Sequence, residues 1–362
     1  YLTIGPFFAI PRCATTAFTV GIEQAVPQAA ERLRLWLLVF SAVFFAAALL
    51  FSLFPGKILT WVGKILNPFF LLFLGILIIV ALVKPSAAIS AVAPEGAYAS
   101  QAFSTGFLEG YNTMDVLAGL AFGIIVVQVI RELGVTDADA VASSTVKAGV
   151  FSSLLMALIY LAVTVVGAQS RGLFATSENG GIALAQIARH YLGSAGLVIL
   201  AATVTLACLK TSVGLITSCA ETFCGMFPKG PGYRAWAVLF TLISFALSNF
   251  GLSTIISYSV PVLMFLYPLA IALVLLALFG RFYRHDRAVY ISVIVCTLLA
   301  ALYDLICALP EGLYDALHAD AVQAFGLRVL PFAGAGLGWI CPLALGFVIG
   351  LAVHLMQKFR TK

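Results

Sequence analysis

Two stretches of this sequence set polar and charged groups inside apolar surroundings, and binding chemistry can sit in both. The first, Gly106–Gly123, reads GFLEGYNTMDVLAGLAFG and packs Glu109, Asn112, Thr113 and Asp115 between glycines. An acid held at membrane depth costs about 3 kcal/mol on insertion scales unless it is paired or solvated. Glycines and polar residues clustered in this way predict a helix interrupted in mid-course, whose loose backbone groups can hold an ion or a small polar ligand. The plain alternative is that Glu109 marks the outer end of a helix and Asp115 pairs with a buried base.

The second stretch, Leu206–Glu221, reads LACLKTSVGLITSCAE and puts the hydroxyls of Thr211, Ser212, Thr217 and Ser218 on several helix turns. Hydroxyl and carbonyl oxygens suit a hard cation such as sodium. Small hydroxyl residues also let membrane helices approach closely, which is the reading preferred for Thr217 and Ser218. Lys210 lies in the same stretch. An ammonium inside a bilayer needs a partner, and Asp115 or Glu221 could supply one; alternatively the ammonium itself fills a cation site. A buried lysine shifts its proton affinity readily, so Lys210 is also a candidate for proton-linked chemistry. Arg12, after Pro6 and Pro11, reads as snorkelling toward an interface. Asp304 reads as peripheral packing, and Glu311, Asp315, His318 and Asp320 as a solvated acidic loop.

These groups must be positioned by membrane-spanning helices. The 362 residues are 62% apolar and 10% charged, with a mean hydropathy of +1.09. Soluble domains carry about 25% charged residues, so this chain cannot build a water-facing surface all round. Its apolar residues come in continuous blocks of roughly 20, the length of a spanning helix, rather than the short alternating segments of a barrel. About ten such segments run over 1–20, 33–54, 58–83, 107–130, 146–166, 195–223, 235–250, 253–279, 288–309 and 336–356. Pro6, Pro11, Pro68, Pro261 and Pro268 fall inside them, as membrane helices tolerate. No soluble domain or linker interrupts them, so residues 1–362 read as one transmembrane domain.

Several classes are disfavoured. The basic residues sit singly in short loops and form no nucleic-acid patch. Seven cysteines without a CxxC pair suggest neither a disulfide framework nor a metal site; Cys208, Cys219 and Cys224 read as small hydrophobes. The four histidines, His190, His285, His318 and His354, are scattered outside the polar stretches, which argues against an intramembrane enzyme.

Alternating the segments gives one set of loops holding Lys57, Lys64, Arg131, Lys147, Lys229, Arg234, Arg281, Arg284, Arg287, Lys358, Arg360 and Lys362, and another holding Arg32, Arg34, Lys84, Arg171, Arg189 and Arg328. The basic excess of the first set places the C-terminus in the cytoplasm. The first segment then runs outward, and the longest external loops are 84–106, 169–194 and 310–335. The chain opens without Met at Tyr1, inside an apolar stretch, so an N-terminal truncation is expected.

Four stretches together resemble the bacterial leucine/isoleucine/valine:cation symporters: YLTIGPFFAIPR at Tyr1–Arg12, GFLEGYNTMDVLAGLAFGI at Gly106–Ile124, LACLKTSVGLITSCAETF at Leu206–Phe223 and SNFGLSTIISYSVPVLMFLYPLAIALV at Ser248–Val274. The resemblance covers essentially the whole chain. It implies an all-α polytopic protein of the bacterial cytoplasmic membrane, with a LeuT-like inverted-repeat fold of the amino acid–polyamine–cation superfamily. The ten segments would be helices three to twelve, with helices one and two missing. It also implies alternating-access symport of leucine, isoleucine or valine with sodium, and no resident cofactor. The substrate would contact Gly110, Tyr111, Asn112, Thr113 and Asp115 at a break in helix six, and Thr211 and Ser212 would give half a sodium site. Lys210 stands where a neutral or hydroxyl residue is expected, so Lys210 and Glu109 are coupling candidates and a proton-coupled symporter or exchanger stays open. Without helices one and two the site would be incomplete; a non-functional fragment is the remaining reading, and the chain alone is expected not to transport.

Overall fold

The computed structural model describes residues 1–24, 30–54 and 57–360, with side chains throughout except those of 30, 57–67, 125 and 358–360. The basic side chains of Lys57, Lys64, Lys358 and Arg360, and all of Lys362, which enter the orientation argument, lie outside the described residues.

Regular structure among the described residues is helical throughout. A π-type turn, Thr3–Phe7, leads into α1 (Ala9–Gly21), α2 (Ala30–Leu53) and α3 (Lys57–Val83). Then come α4 (Tyr98–Glu109), α5 (Asp115–Glu132), α6 (Ala138–Ser170), α7 (Gly180–Met226), α8 (Tyr233–Ser248) and α9 (Leu252–Phe279). The chain continues through α10 (Arg287–Cys307), α11 (Glu311–Ala316), α12 (Ala319–Val329) and α13 (Ile340–Arg360). Among the described residues seven helical spans are long and apolar enough to cross a membrane, and Pro68–Val83 and Tyr233–Ser248 are shorter apolar helices. Leu154, Leu158 and Leu161 of α6 are about two-thirds exposed. Such faces are tolerable only in lipid, so this is a multi-pass membrane protein.

Three features differ from the expectation drawn from hydropathy, the first being that α4 opens at Tyr98, inside the stretch 84–106 expected as a loop. The segment expected at 195–223 is the later part of α7, which starts at Gly180 and bends at Gly193, where φ is 65° and ψ −162°. Only glycine adopts that conformation freely. The stretch 310–335, expected as a loop, carries α11 and α12. Both helices are too short and too polar to register as spans.

The chain divides into two compact units, Tyr1–Ala93 with Phe122–Ile255, and Pro94–Ala121 with Ile256–Lys362. In the first, α1 packs along α7, which also meets α2, α3 and α8. Ile10, Ala14 and Ala17, at helical spacing on α1, meet Phe44, Phe45 and Ala48 of α2 and Val213, Ile216 and Ala220 of α7. On the α3 side, Phe73, Leu77 and Ala81 meet Ile187, Leu200 and Val204. In lipid no hydrophobic drive pulls helices together, so small residues that permit close packing carry the association. At the π-type turn the backbone leaves helical geometry at Gly5, and Ser244 Oγ donates to the Pro6 carbonyl at 3.2 Å. A neighbouring hydroxyl thus satisfies a carbonyl beside the break.

In the second unit α10 lies along α13. Tyr283, Val289 and Val293 pack with Ala272 and Leu276 of α9 and with Leu343 and Phe347 of α13. The Tyr283 hydroxyl donates to the Leu276 carbonyl.

Candidate functional site

The apolar run over Tyr98–Glu132 is not one helix. Helix α4 ends at Glu109, a 3₁₀ turn spans Gly110–Thr113, Met114 takes the left-handed conformation at φ 60° and ψ 15°, and α5 begins at Asp115. A non-glycine residue in that conformation costs roughly 1 kcal/mol and persists only where its surroundings over-determine it. Short-range bonds supply part of that constraint. Met114 N–H donates to the Tyr111 carbonyl at 3.1 Å, and Thr113 Oγ1 donates to the Gly110 carbonyl at 2.8 Å. Asn112 Nδ2 donates to Glu109 Oε2 at 2.9 Å.

Side chains divide around this turn. Tyr111 and Met114 are buried, Asn112 and Asp115 half-buried, and Glu109, Gly110 and Thr113 exposed. A side chain at Gly110 would meet open space, so its backbone is reachable from outside. Tyr111 stacks on Tyr267 of α9, with ring centroids 4.2 Å apart and planes 20° apart, and Phe107 meets its edge at 5.6 Å. The Tyr111 hydroxyl lies near the Trp339 indole and the Asp304 carboxyl. The Tyr267 hydroxyl lies near Thr113 and the backbone of Met114 and Val116.

Four buried polar atoms in this neighbourhood complete no hydrogen bond among the described residues: Tyr111 Oη, Tyr267 Oη, Trp339 Nε1 and Asp304 Oδ2. Folded proteins leave few such atoms, and a cluster of them marks space for water, an ion or a polar ligand group. Asp304 also lines a cavity of about 210 Å³, together with Leu108, Tyr303, Cys307 and Gln323. From sequence, Tyr111 was expected here; Tyr267, Trp339 and Asp304 were not. A lone acid inside an apolar helix was signal enough for Asp304, whereas nothing in the sequence distinguishes Trp339. Asp304 is only 7% exposed.

The other expected residues fall in the first unit, on α7. Lys210 is half-buried and makes no ion pair with a described residue, Glu221 included. Thr211 is exposed and its hydroxyl donates to the Ala207 carbonyl at 3.0 Å. Ser212 is fully buried, and its hydroxyl lies beside the Cys13 thiol, which also meets Cys208. Adjacent helical residues project about 100° apart, so the Thr211 and Ser212 hydroxyls lie on different faces. All seven cysteines are free thiols, and among the described residues no group of His, Cys, Asp and Glu is arranged to hold a metal.

A second polar cavity, of about 280 Å³, lies in the first unit between the end of α1 and the starts of α7 and α9, where Thr19, Glu23, Arg34, Glu178 and Asn179 line it. Asn179 caps α7, its Oδ1 accepting from Ile182 N–H at 3.1 Å, and its amide donates to Ser253 Oγ at 3.1 Å.

Comparison with known proteins bears on what these features serve. The family model described as "Branched-chain amino acid transport protein" matches residues 1–357. The branched-chain amino acid permease BrnQ of Lactobacillus delbrueckii subsp. lactis is 50% identical over 360 residues, covering 99% of this chain and 80% of that protein. BrnQ of Bacillus subtilis is 37% identical over 363 residues, covering 100% and 79%. BrnQ of Escherichia coli is 37% identical over 351 residues, covering 97% and 76%. No solved structure matches the chain. The relatives are named as permeases and carriers, not enzymes. A match from end to end, joined to a many-helix membrane architecture with a broken central helix, means that this chain belongs to the branched-chain amino acid transport protein family.

Proposed function

We propose that the chain belongs to a secondary active transporter that carries leucine, isoleucine and valine across the bacterial cytoplasmic membrane with a coupling cation. Residues 1–362 act as a single transporter domain of LeuT-like inverted-repeat type, with the C-terminus in the cytoplasm. The observation that carries this reading is the helix break at Gly110–Met114, which frees backbone groups inside an apolar span. The relatives' names supply the substrate class.

An amino acid presents two charges and an apolar side chain. Its carboxylate would meet the N–H groups that open α5, where the helix dipole favours an anion. Its ammonium would meet Asp115 and the carbonyls that close α4, with Tyr111, Asn112 and Thr113 around it. Phe107, Met114 and Leu117 offer the aliphatic contact. Such a pocket separates substrates differing by one methylene by only about 1–3 kcal/mol, so the three branched substrates compete. Alternating access and coupling follow if the cation stabilises the state that binds substrate. Sodium is the first reading of the ion, with Thr211 and Ser212 as ligands only if their hydroxyls turn from different faces of α7 toward one point. A proton is the second, with Lys210, Glu109 and above all the buried Asp304, whose Oδ2 has no hydrogen-bond partner among the described residues, as carriers.

Uptake of labelled leucine into proteoliposomes by the full-length protein that contains this chain, under an imposed sodium or proton gradient and competed by isoleucine and valine, tests the proposal. Uptake under neither gradient would overturn it.

A further inference from the structure

We infer that Asp304 is a proton-binding site that opens onto the 210 Å³ cavity beside the helix break, and that its proton takes part in the transport cycle. The inference rests on the transport reading above for its second half only.

Three observations carry it. First, Asp304 lies within the spanning helix α10, is 7% exposed, and leaves Oδ2 without a hydrogen-bond partner among the described residues. An ionised carboxylate in such a place is strongly disfavoured unless a cation compensates it.

Second, among the described residues no basic group faces it. On α10 its neighbours are Tyr303 and Cys307; the turn after α4 contributes Tyr111, and α9 contributes Met264. Helix α12 contributes Gln323 and Leu327, while its charged residues Asp320 and Arg328 are exposed and do not act on the carboxyl. The histidine of α13, His354, engages Asp286 instead. Tyrosine and cysteine can only add negative charge, so the neutral acid is the form these surroundings accept.

Third, the cavity suits a proton better than a metal ion. Besides Asp304 the oxygen-bearing side chains that line it are Tyr303 and Gln323, and Leu108, Met264, Leu327, Cys307 and small residues form the rest. Hard cations need about six oxygen ligands. A proton needs one.

Binding adds the proton to Oδ2, forming an O–H bond and leaving a neutral carboxyl. Release breaks that bond and passes the proton to water in the cavity. Tyr111 carries the consequence to the helix break, because its hydroxyl lies near the Asp304 carboxyl while its ring stacks on Tyr267. Charging Asp304 therefore acts on the turn proposed to hold the substrate.

The test uses the reconstituted protein and its Asp304→Asn variant. Infrared difference spectra should show the carbonyl stretch of a protonated carboxylic acid at neutral pH, lost in the variant. Leucine accumulation driven by a proton gradient should be lost in the variant, while leucine–leucine counterflow persists. An unchanged infrared band, or full proton-driven accumulation by Asp304→Asn, would overturn the inference. A band that appears only when sodium is withdrawn would also overturn it and make Asp304 a sodium ligand. If the unaltered protein neither accumulates nor exchanges leucine, the transport reading fails by itself, and the infrared band still decides whether Asp304 holds a proton.

Discussion

Tyr111 lies flat against Tyr267 across a 4.2 Å centroid separation, and neither buried hydroxyl completes a hydrogen bond among the described residues. Stacked rings of this kind contribute about 1 kcal/mol beyond their buried area. The hydroxyls' polar neighbours, Trp339 for Tyr111 and Thr113 with the Met114 and Val116 backbone for Tyr267, lie close without completing hydrogen-bond geometry, which leaves both hydroxyls able to meet a group that enters the site. Tyr111→Phe is therefore expected to leave the thermal transition of the purified protein unchanged or slightly raised, and to weaken leucine binding about tenfold, the value of one lost hydrogen bond of about 1.4 kcal/mol. Binding isotherms and melting curves on the same preparation check both halves. Equal affinity in Tyr111→Phe would remove the hydroxyl from the site.

Met114 joins the 3₁₀ turn to α5 in a left-handed conformation and is 5% exposed. Leu keeps its size at a similar backbone cost, whereas Val, branched at Cβ, is much less compatible with that region. Met114→Val should destabilise the protein by about 1–2 kcal/mol more than Met114→Leu. It should also lower uptake more than the Leu variant does. Equal melting temperatures for the two would mean that the turn relaxes out of the left-handed region.

Helices α10 and α13 meet through Gly346 and Gly350, four residues apart on one face of α13. A Cβ at Gly346 would lie 2.7 Å from the Ser292 carbonyl oxygen, and one at Gly350 would lie 2.6 Å from Val289 Cα. Both obstacles are backbone and cannot swing aside. Gly350→Ala should cost about 1–3 kcal/mol through overpacking. Gly149→Ala on α6, where a Cβ meets nothing within 4 Å, should be neutral or mildly stabilising. Melting temperatures in one detergent compare the two.

Asp286 precedes α10 and caps it, its Oδ1 accepting from Ala288 N–H at 2.7 Å while Oδ2 meets His354 Nδ1 at 2.5 Å. The His354 bond first, and the Ala288 N–H next, hold the Asp286 carboxyl below its ordinary value. A carboxyl lowered by folding adds stability that is complete above its unfolded value, near 3.9, and is lost as pH falls through the folded value. Asp286→Ala should therefore lower the melting temperature at neutral pH, with the gap to the unaltered protein closing only under strongly acidic conditions. A gap that stayed constant into acid would exclude the ionised carboxyl as its source.

Much of the architecture was legible in the chain itself. Continuous apolar runs of spanning length announce membrane helices, because an unpaired backbone cannot enter lipid in any other open form. Glycines and polar residues around Tyr111 announced a break in the right run, since glycine and short-range side-chain bonds are what a turn requires. Period and composition are local properties, and local physics sets them. The bend at Gly193 escaped because a lone glycine in an apolar run has several uses, and only packing selects one. The helices over 311–329 escaped because their polar faces resemble those of a loop.

What only the tertiary structure decided is which side chains meet. Tyr267, Trp339 and Asp304 lie between 156 and 228 residues beyond Tyr111 in the numbering, and no spacing rule connects them. Tertiary packing buried Asp304 near Tyr111 and left its Oδ2 without a hydrogen-bond partner among the described residues. Whether a carboxyl is charged depends on the dielectric and partners around it. Those are properties of neighbours drawn from distant helices, and a sequence read along its length does not contain them.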